Sequence, residues 1–338
     1  MIKQLTFATL SLVLLLLCSC GPKDGKPEFV LSYSVFFPST HIHAVLAQEW
    51  ADELAIRSQG RIKVDVFPGG VLSSAAENYE SVKKGVSDLG MSCFAYSRGL
   101  FPMIEGLDLP WGYESGEQAS NIANRFIEHF KPAELDEVAF MYAHAHGPGI
   151  LASRKKIGSA KEFTGMTIRG TGISAQMIQA LGANPVGMSQ GDTYEALRKG
   201  VVDATLCPIE TLKGWKQGEV IDHVIRIPAV AYTTAMFVVM NQNSWEKLPA
   251  ELQEIIKNLN LEWMQKHALA WDQADREGEE FVTQLGKSFS DFPEPENAIV
   301  RKAFYPMLQE WADRLDKQGL PGKEALKFMS EQLSSQKQ

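Results

Sequence analysis

The chain has 338 residues, 45% hydrophobic and 22% charged, with a formal net charge of −8. This is ordinary globular composition, long enough for about two domains. The acidic excess is mild and no basic face is clustered, which excludes a nucleic-acid footprint.

The first twenty residues differ from the rest. Lys3 supplies a positive start, and Phe7 to Leu17 is almost wholly apolar or small. That run is too short to cross a bilayer, which takes about 20 residues, so residues 1–19 read as a secretory signal. The run ends at Leu17-Cys18-Ser19-Cys20-Gly21, which resembles a bacterial lipobox. Cys20, preceded by the small Ser19, is the expected lipid anchor and 20–28 the lipidated tether; ordinary cleavage nearby is the alternative. Beyond the signal only Cys93 and Cys207 remain. They are open to one disulfide in an oxidising space or to two buried thiols, and free thiols are the expectation.

Short apolar runs then alternate with helical patterns, which predicts an α/β protein with mostly parallel sheets. Strands are expected at Phe29 to Val35, Ile62 to Phe67, Asp88 to Cys93, Ala139 to Ala145, Met166 to Arg169, Val201 to Leu206 and Phe237 to Met240. Helices are expected at Ile42 to Arg57, Asn78 to Lys84, Ser174 to Leu181 and Thr193 to Arg198, the last capped by Asp192. Pro249 to Leu285 carries a 3.6-residue apolar face through Leu252, Ile256, Leu259 and Trp263. At 1.5 Å per residue such a helix is about 50 Å long, enough to brace two domains. Pro293 and Pro295 break the pattern before two amphipathic stretches, Ala298 to Lys317 and Lys323 to Leu333.

Three groups invite a chemical reading. Gly170-Thr171-Gly172-Ile173-Ser174-Ala175 fits the G-x-G-x-x-A dinucleotide fingerprint, but no acidic ribose ligand ends a strand about 20 residues on. Its glycines are instead expected to leave backbone N–H groups free for an anion at a helix start. Arg169 ends an apolar strand, where ligands of open α/β folds bind, and its planar fork suits a carboxylate or sulfonate; a structural salt bridge is the other reading. His144 and His146 share a strand face and could hold a metal, but no third ligand follows by spacing, so polar pocket or strand-end roles are expected. Trp215, Trp263 and Trp271 lie on helical patterns and read as core. No nucleophile-elbow, zinc-protease or P-loop signature is present.

Several stretches together resemble the solute-binding proteins of tripartite ATP-independent periplasmic (TRAP) transporters. They are Ser58-Gln59-Gly60-Arg61-Ile62 with Pro68-Gly69-Gly70-Val71-Leu72, Val82 to Leu89, Ser153 to Ile157 with Phe163 to Arg169, Tyr194 to Asp203, and Trp245 to Pro249. The resemblance spans about residues 29 to 330. It implies a non-enzymatic, two-lobed fold (a Venus flytrap) with a long bracing helix. Lobe I is expected at 29–146 plus 233–272 and lobe II at 147–232 plus 273–338. It also implies a small organic anion as ligand, two integral membrane subunits as partners, no cofactor, and a monomer.

Residue by residue, Arg169 falls on the arginine that clamps the ligand's acid group in this family. Cys207 stands where an asparagine is common. Cys93 stands where the sialic-acid binders carry a glutamate, and Gly149 near their second arginine, which argues against sialic acid. Gln190 falls near a pocket wall; Glu210, Phe94, Tyr33, Phe36 and His41 lie near expected pocket edges. One clamp arginine implies a monoanion of about two to six carbons, a hydroxy or keto carboxylate first and a sulfonate such as isethionate second. A same-fold chemosensory protein and, distantly, an exported metal- or dinucleotide-dependent enzyme are the alternatives.

Overall fold

The computed structural model describes residues 26–335, so the expected signal, Cys20 and most of the tether lie outside the described residues. The strands are β1 (Phe29–Val35), β2 (Ile62–Phe67), β3 (Leu89–Cys93), β4 (Val138–Ala145), β5 (Ile150–Ser153), β6 (Thr167–Arg169), β7 (Asn184–Val186), β8 (Ala204–Cys207), β9 (His223–Arg226), β10 (Ala235–Asn241) and β11 (Phe289–Asp291). The helices are α1 (Ile42–Arg57), α2 (Asn78–Lys83), α3 (Gly116–Phe130), α4 (Ile173–Ala180), α5 (Gln190–Lys199), α6 (Thr211–Gly214), α7 (Gln242–Glu246), α8 (Ala250–Gln284), α9 (Glu294–Lys317) and α10 (Gly322–Ser335).

The protein is two-lobed, with one mixed sheet in each lobe. The first sheet has the order β2-β1-β3-β10-β4 and the second β11-β9-β5-β8-β6-β7. The second is mostly parallel, with three parallel pairings and two antiparallel, and the first is evenly divided, two and two; each has one reversed strand. β10 runs against both β3 and β4, and β5 runs against both β8 and β9. The reversed strands are those next to the points where the chain changes lobes, after β4 and after β9. A strand that enters a sheet from the neighbouring lobe comes in from the cleft end, so its direction opposes strands fed by local β-α crossovers.

α8 is the third connection. Its 35 residues give about 52 Å at 1.5 Å per residue. In lobe I the Trp263 indole donates to the Leu46 carbonyl (2.7 Å), Asn260 accepts from Trp50 (3.0 Å), and Glu262 pairs with Arg57. In lobe II Glu277 pairs with Lys213 and Glu279 with Arg226. Between these ends Asp272 accepts from the backbone N–H of Gly116 and Glu117 at the start of α3, an anion on a helix N-terminus.

Local chemistry explains the departures from the expected elements. α5 is capped by Ser189, and Asp192 sits in the first turn with its carboxylate accepting from the Ser189 hydroxyl. α9 begins at Glu294: Pro293 is its N-cap and Pro295 lies in the first turn, where missing N–H groups cost nothing. α3 carries a capping signal, with Ser115 accepting from the Gln118 N–H and Gln118 accepting from the Glu114 N–H. α10 packs on α9 and also reaches α3, through Phe126–Phe328 and Arg125–Gln332.

Gly278 marks where α8 meets lobe II. A Cβ there would lie 2.5 Å from the Ile209 carbonyl oxygen, a backbone atom that cannot rotate away. Alanine in a helix interior ordinarily adds about 1 kcal/mol over glycine. Gly278→Ala is expected to reverse that sign and lose about 1–3 kcal/mol through overpacking, measured by urea denaturation.

Candidate ligand-binding site

β6 is a three-residue strand held between β7 and β8, and it delivers Arg169 to its carboxyl end. The side chain is 3% exposed. Its Nε and Nη2 donate to the Met188 carbonyl (3.0 and 2.8 Å) and Nη1 to the Leu206 carbonyl (3.4 Å). Among the described residues no carboxylate lies within ion-pair distance of it. The thiols and phenols around it bring no opposite charge, because burial raises the pKa of Cys93, Tyr96, Cys207 and Tyr232, that of Cys207 to about 12; Glu210 shares the cavity but bonds His41, not Arg169. His146 is neutral as well: burial, with the Arg169 charge adding to it and the Gly147 carbonyl opposing it, lowers its pKa to about 4. A buried cation with only carbonyl dipoles around it is costly unless an anion joins it.

Arg169 faces a cavity of about 20 Å³ between the lobes, room for about one water. The wall is aromatic. Phe36, Phe37, Tyr96 and Trp271 line it from lobe I and α8, and Trp215 and Tyr232 complete it. The rings of Phe36 and Trp215, from opposite lobes, lie nearly parallel (20°) with centres 6.0 Å apart. Tyr232 occupies the space above Gly149, where a Cβ would sit 2.1 Å from its ring. The lobes are shut, since the Tyr96 hydroxyl accepts from the Gln190 N–H (3.1 Å) and His41 Nε2 lies 2.5 Å from Glu210 Oε1.

Of the expected site residues, Arg169, Cys93, Gln190, Glu210 and Phe36 line this cavity, and His41 touches it through Glu210. Three do not. Cys207 belongs to the core of lobe II, fully buried at the end of β8. Phe94 packs edge-on against Phe101 and Phe237 in the core and lines a separate crevice with Arg98 and Gln176. Tyr33 packs on Trp50. Trp215 and Trp271, read from sequence as core, are cavity wall. Cys93 and Cys207 are free thiols.

The glycines of the dinucleotide-like motif also have other work. The Gly170 N–H donates to Val186 and the Thr171 N–H to the Ser174 hydroxyl, so these donors are not open to an anion. Gly170 is packed against Ile178 and Ser174, and Gly172 has φ +53° and meets Ala95 across the lobes.

The expected histidine pair separates: His146 lines the cavity, whereas His144 stacks with His43 and His267 in the interior of lobe I. One nitrogen from each of these three lies within 4.8 Å of the others. Their hydrogen bonds do not leave three lone pairs. His144 Nδ1 accepts from the Trp271 indole (3.0 Å), so Nε2 of its neutral ring carries the proton. The Nδ1 atoms of His43 and His267 share one hydrogen bond (2.7 Å), which leaves one of those two rings also protonated at Nε2.

Residues 33–314 match the family described as bacterial extracellular solute-binding protein, family 7 (DctP), and the chain belongs to that family. Its solved relatives include a marine-metagenome TRAP solute-binding protein specific for aromatic acid ligands, in complex with 3-hydroxybenzoate (25% identity, TM-score 0.86, covering 92% of this chain and 99% of that one). Another is a TRAP periplasmic solute-binding protein from Bordetella bronchiseptica with bound mandelate (25%, TM-score 0.84, 90% and 99%). Among curated proteins, the 2,3-diketo-L-gulonate-binding periplasmic protein YiaO of Escherichia coli is 25% identical over 73% of this chain and 79% of its own length. The protein is thus a TRAP-type solute-binding protein for an organic acid. Among the described residues no helix is long and apolar enough to cross a membrane.

Asp275 on α8 underlies the cleft, with Oδ1 accepting from the Glu210 N–H (2.7 Å). Burial, with the charges of Glu210, Asp272 and Glu279, raises its pKa from 3.8 to about 8. A raised carboxyl pKa means the folded state keeps a proton the unfolded state releases. The stability from this group is therefore full below pH 3.8 and lost as pH rises to about 8. Asp275→Asn keeps the acceptor without the charge. It is expected to stabilise the protein by a few (~2–5) kcal/mol at pH 8 and by little near pH 4, read as the difference between urea curves at the two pH values.

Proposed function

We propose that this protein is the extracytoplasmic receptor of a TRAP transporter for a planar, ring-bearing monocarboxylate. The observation that carries the reading is the buried Arg169, without a carboxylate partner, beside near-parallel Phe36 and Trp215 rings from opposite lobes. The guanidinium would hold the acid group by two parallel hydrogen bonds, and the flat body would stack between the rings. Two stacking distances of about 3.5 Å need about 7 Å; the ring centres are 6.0 Å apart and the planes no farther, so the lobes have to part by at least about 1 Å to admit a ring. The aromatic-acid and mandelate complexes of relatives support this ligand class.

Capture proceeds by hinge closure, as in periplasmic binding proteins. The anion enters between separated lobes and meets Arg169 on lobe II. Lobe I, carrying Phe36, Tyr96 and His41, then closes over it. Closure excludes water, which strengthens the charge pair, and presents one closed surface to the membrane subunits. The lipobox-like run ending at Cys20 supports export and a lipid tether outside the cytoplasmic membrane.

A smaller cargo, a hydroxy or keto acid of two to six carbons or a sulfonate such as isethionate, is the second reading, and the small cavity favours it. Thermal-shift and calorimetric titration of the mature protein, refolded free of copurified ligand, against benzoate, mandelate, lactate, pyruvate and isethionate separates the two. A ring-bearing acid should bind at least tenfold tighter than the aliphatic anions; the reverse order overturns the first reading. Arg169→Ala should weaken the best ligand about 100-fold, since truncating one partner of a buried charge pair costs about 2–5 kcal/mol. Near wild-type affinity in that variant contradicts the role given to Arg169.

A further inference from the structure

Glu210 is a carboxylate inside an anion site. It follows Pro208 and Ile209 at the end of β8, is 2% exposed, and lines the same cavity as Arg169. Its place is built into the chain: a Cβ at residue 214 would lie 2.1 Å from Glu210 Oε1, so Gly214 keeps the space open. Its one side-chain hydrogen-bond partner among the described residues is His41, with Nε2 2.5 Å from Oε1.

The state of that pair follows from the other side of the ring. His41 is the N-cap of α1, and its Nδ1 accepts from the His43 N–H (3.3 Å). A ring that accepts at Nδ1 carries its proton at Nε2 and is neutral. It therefore donates to Glu210 without cancelling its charge. Two charges of opposite sign then face the cavity from lobe II: Arg169 takes the ligand's acid group, and Glu210 stands beside it as an acceptor.

We infer that Glu210 is a specificity-determining residue, a charge filter that admits monoanions bearing a hydroxyl or N–H donor and rejects dianions. This rests on the reading that Arg169 holds a carboxylate. A hydroxyl on the ligand gives Glu210 a charge-assisted hydrogen bond. A second carboxylate meets a like charge in a site closed to water.

The test is calorimetric titration of the mature protein and of Glu210→Gln with 3-hydroxybenzoate and isophthalate, two meta-substituted rings that differ in the second group. Wild type should prefer 3-hydroxybenzoate by about tenfold or more, and Glu210→Gln should shrink that ratio by about tenfold. A purely structural role for Glu210 lowers both affinities together and leaves the ratio unchanged, which overturns the filter while the aromatic-acid reading stands. Wild type that binds isophthalate as tightly as 3-hydroxybenzoate overturns it without any variant. Wild type that binds neither, nor benzoate, overturns the aromatic-acid reading and the filter with it.

Discussion

The structure depends on a buried cation that no carboxylate among the described residues pairs with: Glu210 shares its cavity but is held by His41. Arg169 is fixed by the carbonyls of Met188 and Leu206, and burial keeps the surrounding thiols, phenols and imidazole neutral. Carbonyl dipoles orient the guanidinium but do not neutralise it. The closed cleft is therefore best stabilised with an anion inside, and that links ligand occupancy to lobe closure in a single energy. Preorganisation adds to this, because β6 and its neighbours hold the fork before the ligand arrives.

The contacts that join the lobes beside the cavity are few. Tyr96 to Gln190, His41 to Glu210 and Phe36 to Trp215 all span the lobes near the cavity. The strong, permanent contacts lie along α8, which is tied to each lobe by ion pairs and indole hydrogen bonds.

Much of this was legible in the sequence, and the illegible part has a physical pattern. Local rules put Arg169 at the carboxyl end of an apolar strand but left a structural salt bridge open, and the family resemblance supplied its expected clamp role; the long helix was legible because its period persists over about ten turns. The aromatic wall could not. Phe36, Tyr96, Trp215, Tyr232 and Trp271 meet only after the chain has changed lobes, and a helical apolar stripe does not say whether it faces a core or a cleft. Cys207 shows the converse error: it precedes a cavity residue, Pro208, but its own side chain is packed in the core. The reversed β5 and β10 likewise follow from lobe crossings that no local pattern encodes. α3 was missed although its apolar stripe of Ala119, Ile122, Ala123, Phe126 and Ile127 and the Ser115–Gln118 capping pair were both usable signs.

The most direct test of the central claim is small-angle scattering on the mature protein, stripped of anions by refolding and then titrated with the tightest-binding acid. The account predicts an extended, open form without anion and a compact form, matching the closed structure, with it. A protein already compact when anion-free, and unchanged by any acid, would contradict the claim that Arg169 requires a ligand's charge to stay buried.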